Sequence, residues 1–230
     1  MDKEKSHLEE SFTSMPKVEL HIHFEGTVTP DLLARIAGER TGMTRAGIGK
    51  MFDFHDFKGF LQAFRRVNEL LTEPGDFYHI ARALSRRLRG MGVVYAELTF
   101  TPLIHTRLGL NHAETMGSIL DGCRLESEAG GPRVAFIYDT VRQWGAEAAL
   151  ETAELAVADQ RAGLPVVGFG VGGDELSTPA EELKGAFTLA ADAGLRRVVH
   201  AGEAGGPDSV WHAVETLGAD RIGHGIAALQ

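Results

Sequence analysis

The sequence predicts an α/β fold, and three observations carry the prediction. Short apolar runs rich in β-branched residues recur six times. Helical patterns separate them. Polar residues that suit chemistry stand at the ends of five of the six runs, the first, second, fourth, fifth and sixth.

In chain order, residues 1–14 are polar and read as a frayed tail. The charged start, Met1-Asp2-Lys3-Glu4-Lys5, has no apolar segment after it, so no secretory leader is expected. The first run is Lys17–His23. Thr29-Pro30 then supplies an N-cap and a proline for the first helical position. Phe57, Phe60, Leu61, Phe64, Val67 and Leu71 mark one apolar helix face. Arg82, Arg86, Arg87 and Arg89 suit a solvated helix face. About 70 residues separate the first two runs, more than one crossover needs, so a helical insertion after the first strand is expected to cap the pocket. The later runs are Val93–Thr101, Arg133–Thr140, Pro165–Gly170, Arg196–His200 and Arg221–His224. A helix over Trp144–Arg161 should stop near Gly163, and Thr178-Pro179-Ala180-Glu181 has the pattern of a capping box.

Strands alternating with helices indicate a parallel sheet with right-handed crossovers. A doubly wound sheet gathers its functional residues at one switch point, whereas a (β/α)8 TIM-type barrel spreads them over many strand ends. The spread seen here favours the barrel. Six strands cannot close the usual eight, so about six of eight βα units are expected, forming one partial barrel domain over 15–230.

At 230 residues the chain can bury a substantial core. A net charge of −9 argues against a nucleic-acid partner. No stretch reaches transmembrane length, and the expected location is the cytoplasm. The single cysteine, Cys123, reads as core filling.

His21 and His23 stand two apart on a strand and so point to one face. Imidazole suits zinc and related divalent metals. A hydrogen-bonded or solvent-facing pair is the commoner outcome of such spacing, but Glu19-Leu20-His21-Ile22-His23-Phe24-Glu25-Gly26 clusters polar residues where a strand ends and the chain turns. His200-Ala201-Gly202-Glu203 closes the fifth run. Glu203 suits proton exchange with a substrate or, equally, a surface cap. His224, between Gly223 and Gly225, suits general-base work near neutral pH, with a satisfied core histidine as the plainer account. Gly168-Phe169-Gly170-Val171-Gly172-Gly173 matches G-x-G-x-x-G literally. The next residues, Asp174-Glu175, would repel a phosphate, and no helix opens there. Glycines that let a flat ligand pack on backbone amides are the better account. His7, His55, His79, His105, His112 and His212 receive no chemical role.

Together these segments resemble the adenosine deaminase family of metal-dependent (β/α)8 hydrolases. Pro16–His23 is similar to its opening motif. Gly173-Asp174-Glu175, His200–Glu203 and Ile222–Gly225 resemble its next three, in order and at fitting intervals. The resemblance implies one Zn2+ per chain held by His21, His23 and His200. It implies that Glu203 protonates the purine ring nitrogen beside the attacked carbon and that His224 orients or deprotonates the attacking water. The Gly173 amide would bond another ring nitrogen, and Glu25 would contact the sugar side. Many members carry aspartate where Glu25 stands, and adenosine enzymes carry aspartate where Gly170 stands.

The family's last strand carries a Ser/Asn-x-Asp-Asp segment whose first aspartate completes the metal site. Nothing after His224 supplies it, and Asp139 and Asp174 belong to other strands. The expectation is therefore a hydrolytic deaminase of a 6-aminopurine or its nucleoside, lacking about its last third. An open sheet edge would favour oligomerisation, aggregation or pairing with a closing segment. The alternatives are a non-catalytic or partner-completed purine-binding protein, and a different metal-dependent amidohydrolase acting on a cyclic amide.

Overall fold

A computed structural model of the protein describes residues 11, 12 and 15–229, apart from the side chains of residues 57 and 58. Most of the expected polar tail over 1–14 and the Phe57 side chain lie outside the described residues.

Six strands form one sheet in sequence order: β1 Lys17–His23, β2 Val93–Phe100, β3 Arg133–Val141, β4 Val166–Gly172, β5 Arg196–Ala201 and β6 Arg221–His224. Each matches its apolar run to within two residues. The pairs β3/β4, β4/β5 and β5/β6 are parallel, with Asp139 opposite Gly170, Gly170 opposite Val198, and Ala201 opposite His224. Sequential strands joined through helices make this a TIM-barrel-type α/β fold with six of the eight strands of a complete barrel. The segment after β1 holds α1 Pro30–Thr41, α2 Arg45–Gly49, α3 Phe57–Glu69 and α4 Pro74–Gly90. It contains four helices where about three were expected. The remaining helices are α5 Pro102–Arg107, α6 His112–Glu128, α7 Gly145–Arg161, α8 Ala180–Asp192 and α9 Gly206–Glu215.

The chain divides into two compact units. The first comprises residues 1–96 and 104–134, and the second comprises 97–103 and 135–230. In the first, the Thr29 hydroxyl accepts from Leu32 N at 3.3 Å and starts α1, as its sequence indicates. Val67 and Leu71 are buried, but Phe60 is exposed and packs edge-on against Phe54, so the expected α3 face is only partly internal. The arginine cluster lies on a largely solvated face, as expected, and also makes ion pairs that its spacing did not indicate. Arg82, Arg86 and Arg89 on α4 all reach the buried carboxylate of Glu126 on α6, at 3.2, 2.8 and 3.1 Å. Gly122 allows this approach, because a Cβ there would lie 2.6 Å from Tyr78 O.

In the second unit, Phe136, Tyr138, Phe169 and Phe187 are fully buried. The capping box expected at Thr178 does not form. The Thr178 hydroxyl instead donates to Arg142 O at 2.7 Å, and α8 begins without a side-chain cap. That bond belongs to the turn that positions the site. Among the described residues, no helix is long and apolar enough to cross a membrane.

Candidate active site

In the first unit, β1 delivers His21 and His23 to one face, with ring centroids 5.3 Å apart and tilted by 57°. The strand stops because Phe24 turns into the core and the chain enters a one-turn 3-10 helix over Glu25–Thr27. The Thr27 hydroxyl and amide both donate to Phe24 O, at 2.7 and 3.1 Å, and lock the turn. Glu25 is only 1% exposed. Its Oε1 lies 3.2 Å from Nε2 of His105, a buried residue of α5 whose ring meets the edge of Phe77 at 4.6 Å. His105, given no role from sequence, is therefore the positioning partner of Glu25.

In the second unit, the ends of β4, β5 and β6 form a cluster. His200 is buried, and its Nδ1 lies 2.9 Å from Val171 O. A carbonyl can only accept, so Nδ1–H donates and the neutral ring carries its lone pair on Nε2. The His224 ring centroid lies 5.2 Å from that of His200. His224 has φ of +69°, the left-handed region, and among the described residues it is the non-glycine residue there. Such strain is tolerated where its surroundings impose it, and the Gly225 amide bond to Ala201 O at 2.9 Å helps to do so. His224 Nε2 lies 3.5 Å from Glu203 Oε2, both side chains being about one third exposed, at 33% and 36%. Glu203 thus faces the histidine rather than capping a helix.

The glycine run of β4 allows close packing against the neighbouring strands. A Cβ on Gly168 would sit 2.9 Å from Arg196 O, and one on Gly170 2.8 Å from Val198 O and 3.0 Å from Asp139 Oδ1. A Cβ on Gly172 would lie 2.9 Å from Asp139 Oδ2 and 3.4 Å from His200 Nδ1. Asp139 is buried and occupies this space beside His200. Gly173 has φ of +96°, and the carboxamide of Gln143 covers it.

Arg142, also buried, donates to His200 O and to Thr178 O, each at 3.3 Å. Burial lowers its pKa more than the nearby carboxylates Glu175, Asp139 and Asp174 raise it. Sequence reasoning missed His105, Arg142, Gln143 and Glu175 as parts of these clusters. Glu175 alone carried a signal, as the last residue of the Gly173-Asp174-Glu175 motif.

Comparison with known proteins matches this geometry to one family. The family model described as adenosine deaminase matches residues 16–230. An aminodeoxyfutalosine deaminase from Streptomyces avermitilis is 34% identical over 220 residues, covering 94% of this chain and 62% of that protein. An adenine deaminase from Rhizobium leguminosarum bv. trifolii is 33% identical over 219 residues, covering 94% and 67%. The crystal structure of an amidohydrolase from Burkholderia ambifaria with bound Zn superposes with a TM-score of 0.86 at 29% identity, covering 96% of this chain and 62% of that one. The chain thus spans about three fifths to two thirds of the length of these relatives. On the family-model match over residues 16–230 and these likenesses, the chain belongs to the adenosine deaminase family.

Proposed function

We propose that this chain carries the chemistry of a metal-dependent hydrolytic deaminase acting on a 6-aminopurine or its nucleoside. The observation that carries the reading is the partly exposed Glu203–His224 pair at 3.5 Å, set beside the buried His200. An acid and a base at contact distance, open to solvent, are what addition of water to an aromatic carbon requires.

His21, His23 and His200 are proposed as the ligands of one zinc ion. Each of the three offers one ring nitrogen as a ligand atom. The donor set fits. Imidazoles are borderline ligands suited to Zn2+, and the Val171 carbonyl fixes the His200 tautomer that leaves Nε2 as the donor. The Zn-bound relative supports the same metal. When bound, the ion supplies Lewis acidity that makes water nucleophilic near neutral pH.

The rest falls to the chain's own side chains. In its acid form, Glu203 gives a proton to the ring nitrogen next to the amino-bearing carbon, which turns a poor electrophile into a reactive one. His224 accepts a proton from the attacking water. A carbon–oxygen bond forms, the carbon–nitrogen bond breaks, the proton taken from water leaves on ammonia, and the remaining hydroxyl proton returns to Glu203 as the ring carbonyl forms. The Gly173 amide holds a second ring nitrogen, and Glu25, fixed by His105, faces the sugar side or its equivalent. Adenine and aminodeoxyfutalosine, the substrates named for the relatives, are the first to try. A small-molecule partner and a cytoplasmic setting fit this chemistry and the acidic net charge.

The test is ammonia release by the purified, zinc-loaded chain from adenine, adenosine and aminodeoxyfutalosine, with metal content measured in parallel. Turnover abolished by His200→Ala together with loss of zinc is the expected result. Zinc-independent turnover, or none on any 6-aminopurine, would overturn the reading. Tight purine binding without ammonia release would favour the purine-binding alternative.

A further inference from the structure

The loop that carries Glu203 is organised around a carboxylate from another strand end. Glu175 Oε2 accepts from the backbone amides of Glu203, Ala204 and Gly205 at 3.0, 2.6 and 2.8 Å. Its Oε1 accepts from the Gly202 amide and the Ser209 hydroxyl. Four consecutive amides aimed at one anion form a nest, and such charge-assisted bonds are the strong ones. Burial alone would raise the Glu175 pKa, but the Ser209 and backbone bonds outweigh it and hold the carboxyl below its usual range.

The other occupants of the neighbourhood do not replace it. Helix α9 starts at Gly206 with no side-chain cap. Glu175 also lies two residues beyond Gly173, so a single side chain ties the loop after β4 to the loop after β5. The first loop carries the amide proposed to hold one ring nitrogen, and the second carries the acid proposed to protonate another.

We propose that Glu175 is a positioning residue for proton transfer: its carboxylate fixes the backbone of Gly202–Gly205 so that the Glu203 side chain faces His224 at a set distance from the Gly173 amide. This rests on the reading of Glu203 as the proton donor. Glu175 touches neither substrate nor metal in this account. It acts through Glu203, and displacement of an acid by about 1 Å can cost about 10²-fold in rate.

Glu175→Gln keeps the shape but replaces one accepting oxygen with an amide NH2 that faces donors needing an acceptor. It is expected to lower kcat by about 10²-fold with KM nearly unchanged and zinc content intact. Hydrogen exchange of amides 202–205 should accelerate while β4 and β5 stay protected. Glu203→Gln should lose at least as much activity without faster exchange. The double variant should be no slower than Glu203→Gln, because the first substitution acts through the second residue.

Wild-type kcat in Glu175→Gln, unchanged exchange at 202–205, or a full additional loss in the double variant would each overturn the proposal. If Glu203→Gln retains wild-type turnover, or the parent chain has none, the proton-donor reading itself fails. A fall in thermal stability alone, with kcat preserved, would show an ordinary structural anchor and also overturn it.

Discussion

Two glutamate–histidine pairs stand at strand ends of this protein, and their difference is one of access. Glu25–His105, in the first unit, is separated by 3.2 Å, with side chains 0% and 2% exposed. Glu203–His224, in the second, is separated by 3.5 Å with about a third of each side chain open to solvent. The chemistry of the partners is the same. The buried pair is closed to bulk water, and its short contact holds Glu25 in one fixed orientation. The half-open pair gains little stability from an ion pair that water screens, and its exposure leaves it available to a substrate.

The largest effect should come from the open pair. Glu203→Gln is expected to cut kcat by about 10²–10⁴-fold while the unfolding temperature barely moves, read by ammonia release and calorimetry. A large loss of stability from this variant would erase the contrast.

Next, His105→Leu should cost about 1–3 kcal/mol of folding stability, because it removes one hydrogen-bond partner of the buried Glu25 carboxylate. Denaturant titration measures this, and a loss below 1 kcal/mol would mean that other neighbours satisfy Glu25. A change of His224 separates strain from chemistry. His224→Gly relieves the positive φ and should raise stability by about 1 kcal/mol while lowering turnover, so stability and activity move in opposite directions.

The smallest effect belongs to a third carboxylate, Glu126, which is bound by three arginines. Its pKa is lowered chiefly by the Arg86 hydrogen bond, against burial, which raises it, with Arg82 and the other charges adding to the lowering. A carboxylate with a depressed folded pKa contributes stability that is full above the unfolded value and is lost as pH falls through the folded one. The unfolding temperature of the wild type should therefore drop more steeply than that of Glu126→Gln below the usual carboxylate range. Parallel curves would show that the arginines contribute nothing measurable.

These pairs also mark what the sequence made legible. Strands β2 to β5 were readable because strands buried on both faces are nearly continuous apolar runs, whereas β1 and β6, with one buried residue between them, were readable from their β-branched residues and the turn or glycine that follows. His21, His23, His200, Glu203 and His224 could be singled out as candidates because each stands at or near the end of a strand. His105 was not, because its partner is 80 residues away and nothing local distinguishes a buried histidine from a surface one. The ion pairs of the α4 arginines were hidden for the same reason, their acceptor being a glutamate on α6 about 40 residues on. Thr178 showed a helix-cap pattern, but the Arg142 carbonyl takes its hydroxyl. A tertiary acceptor outcompeted the local amide, and local patterning contains no trace of that contest.

The bare face of β4 has a consequence for how this site can change. With glycine at 168, 170 and 172, the strand presents only main chain where Ile137 and Asp139 lean in from one side and the Val198 carbonyl and His200 imidazole from the other. The neighbours share a slot whose clearance is less than one methyl group. Alanine at Gly170 would strike a carbonyl and a carboxylate together, neither of which is the far end of a flexible chain. Mutational drift can therefore remodel the exposed loops of the second unit, but these three positions have no neutral neighbours, and the spacing between Asp139 and His200 is set by the thickness of a peptide.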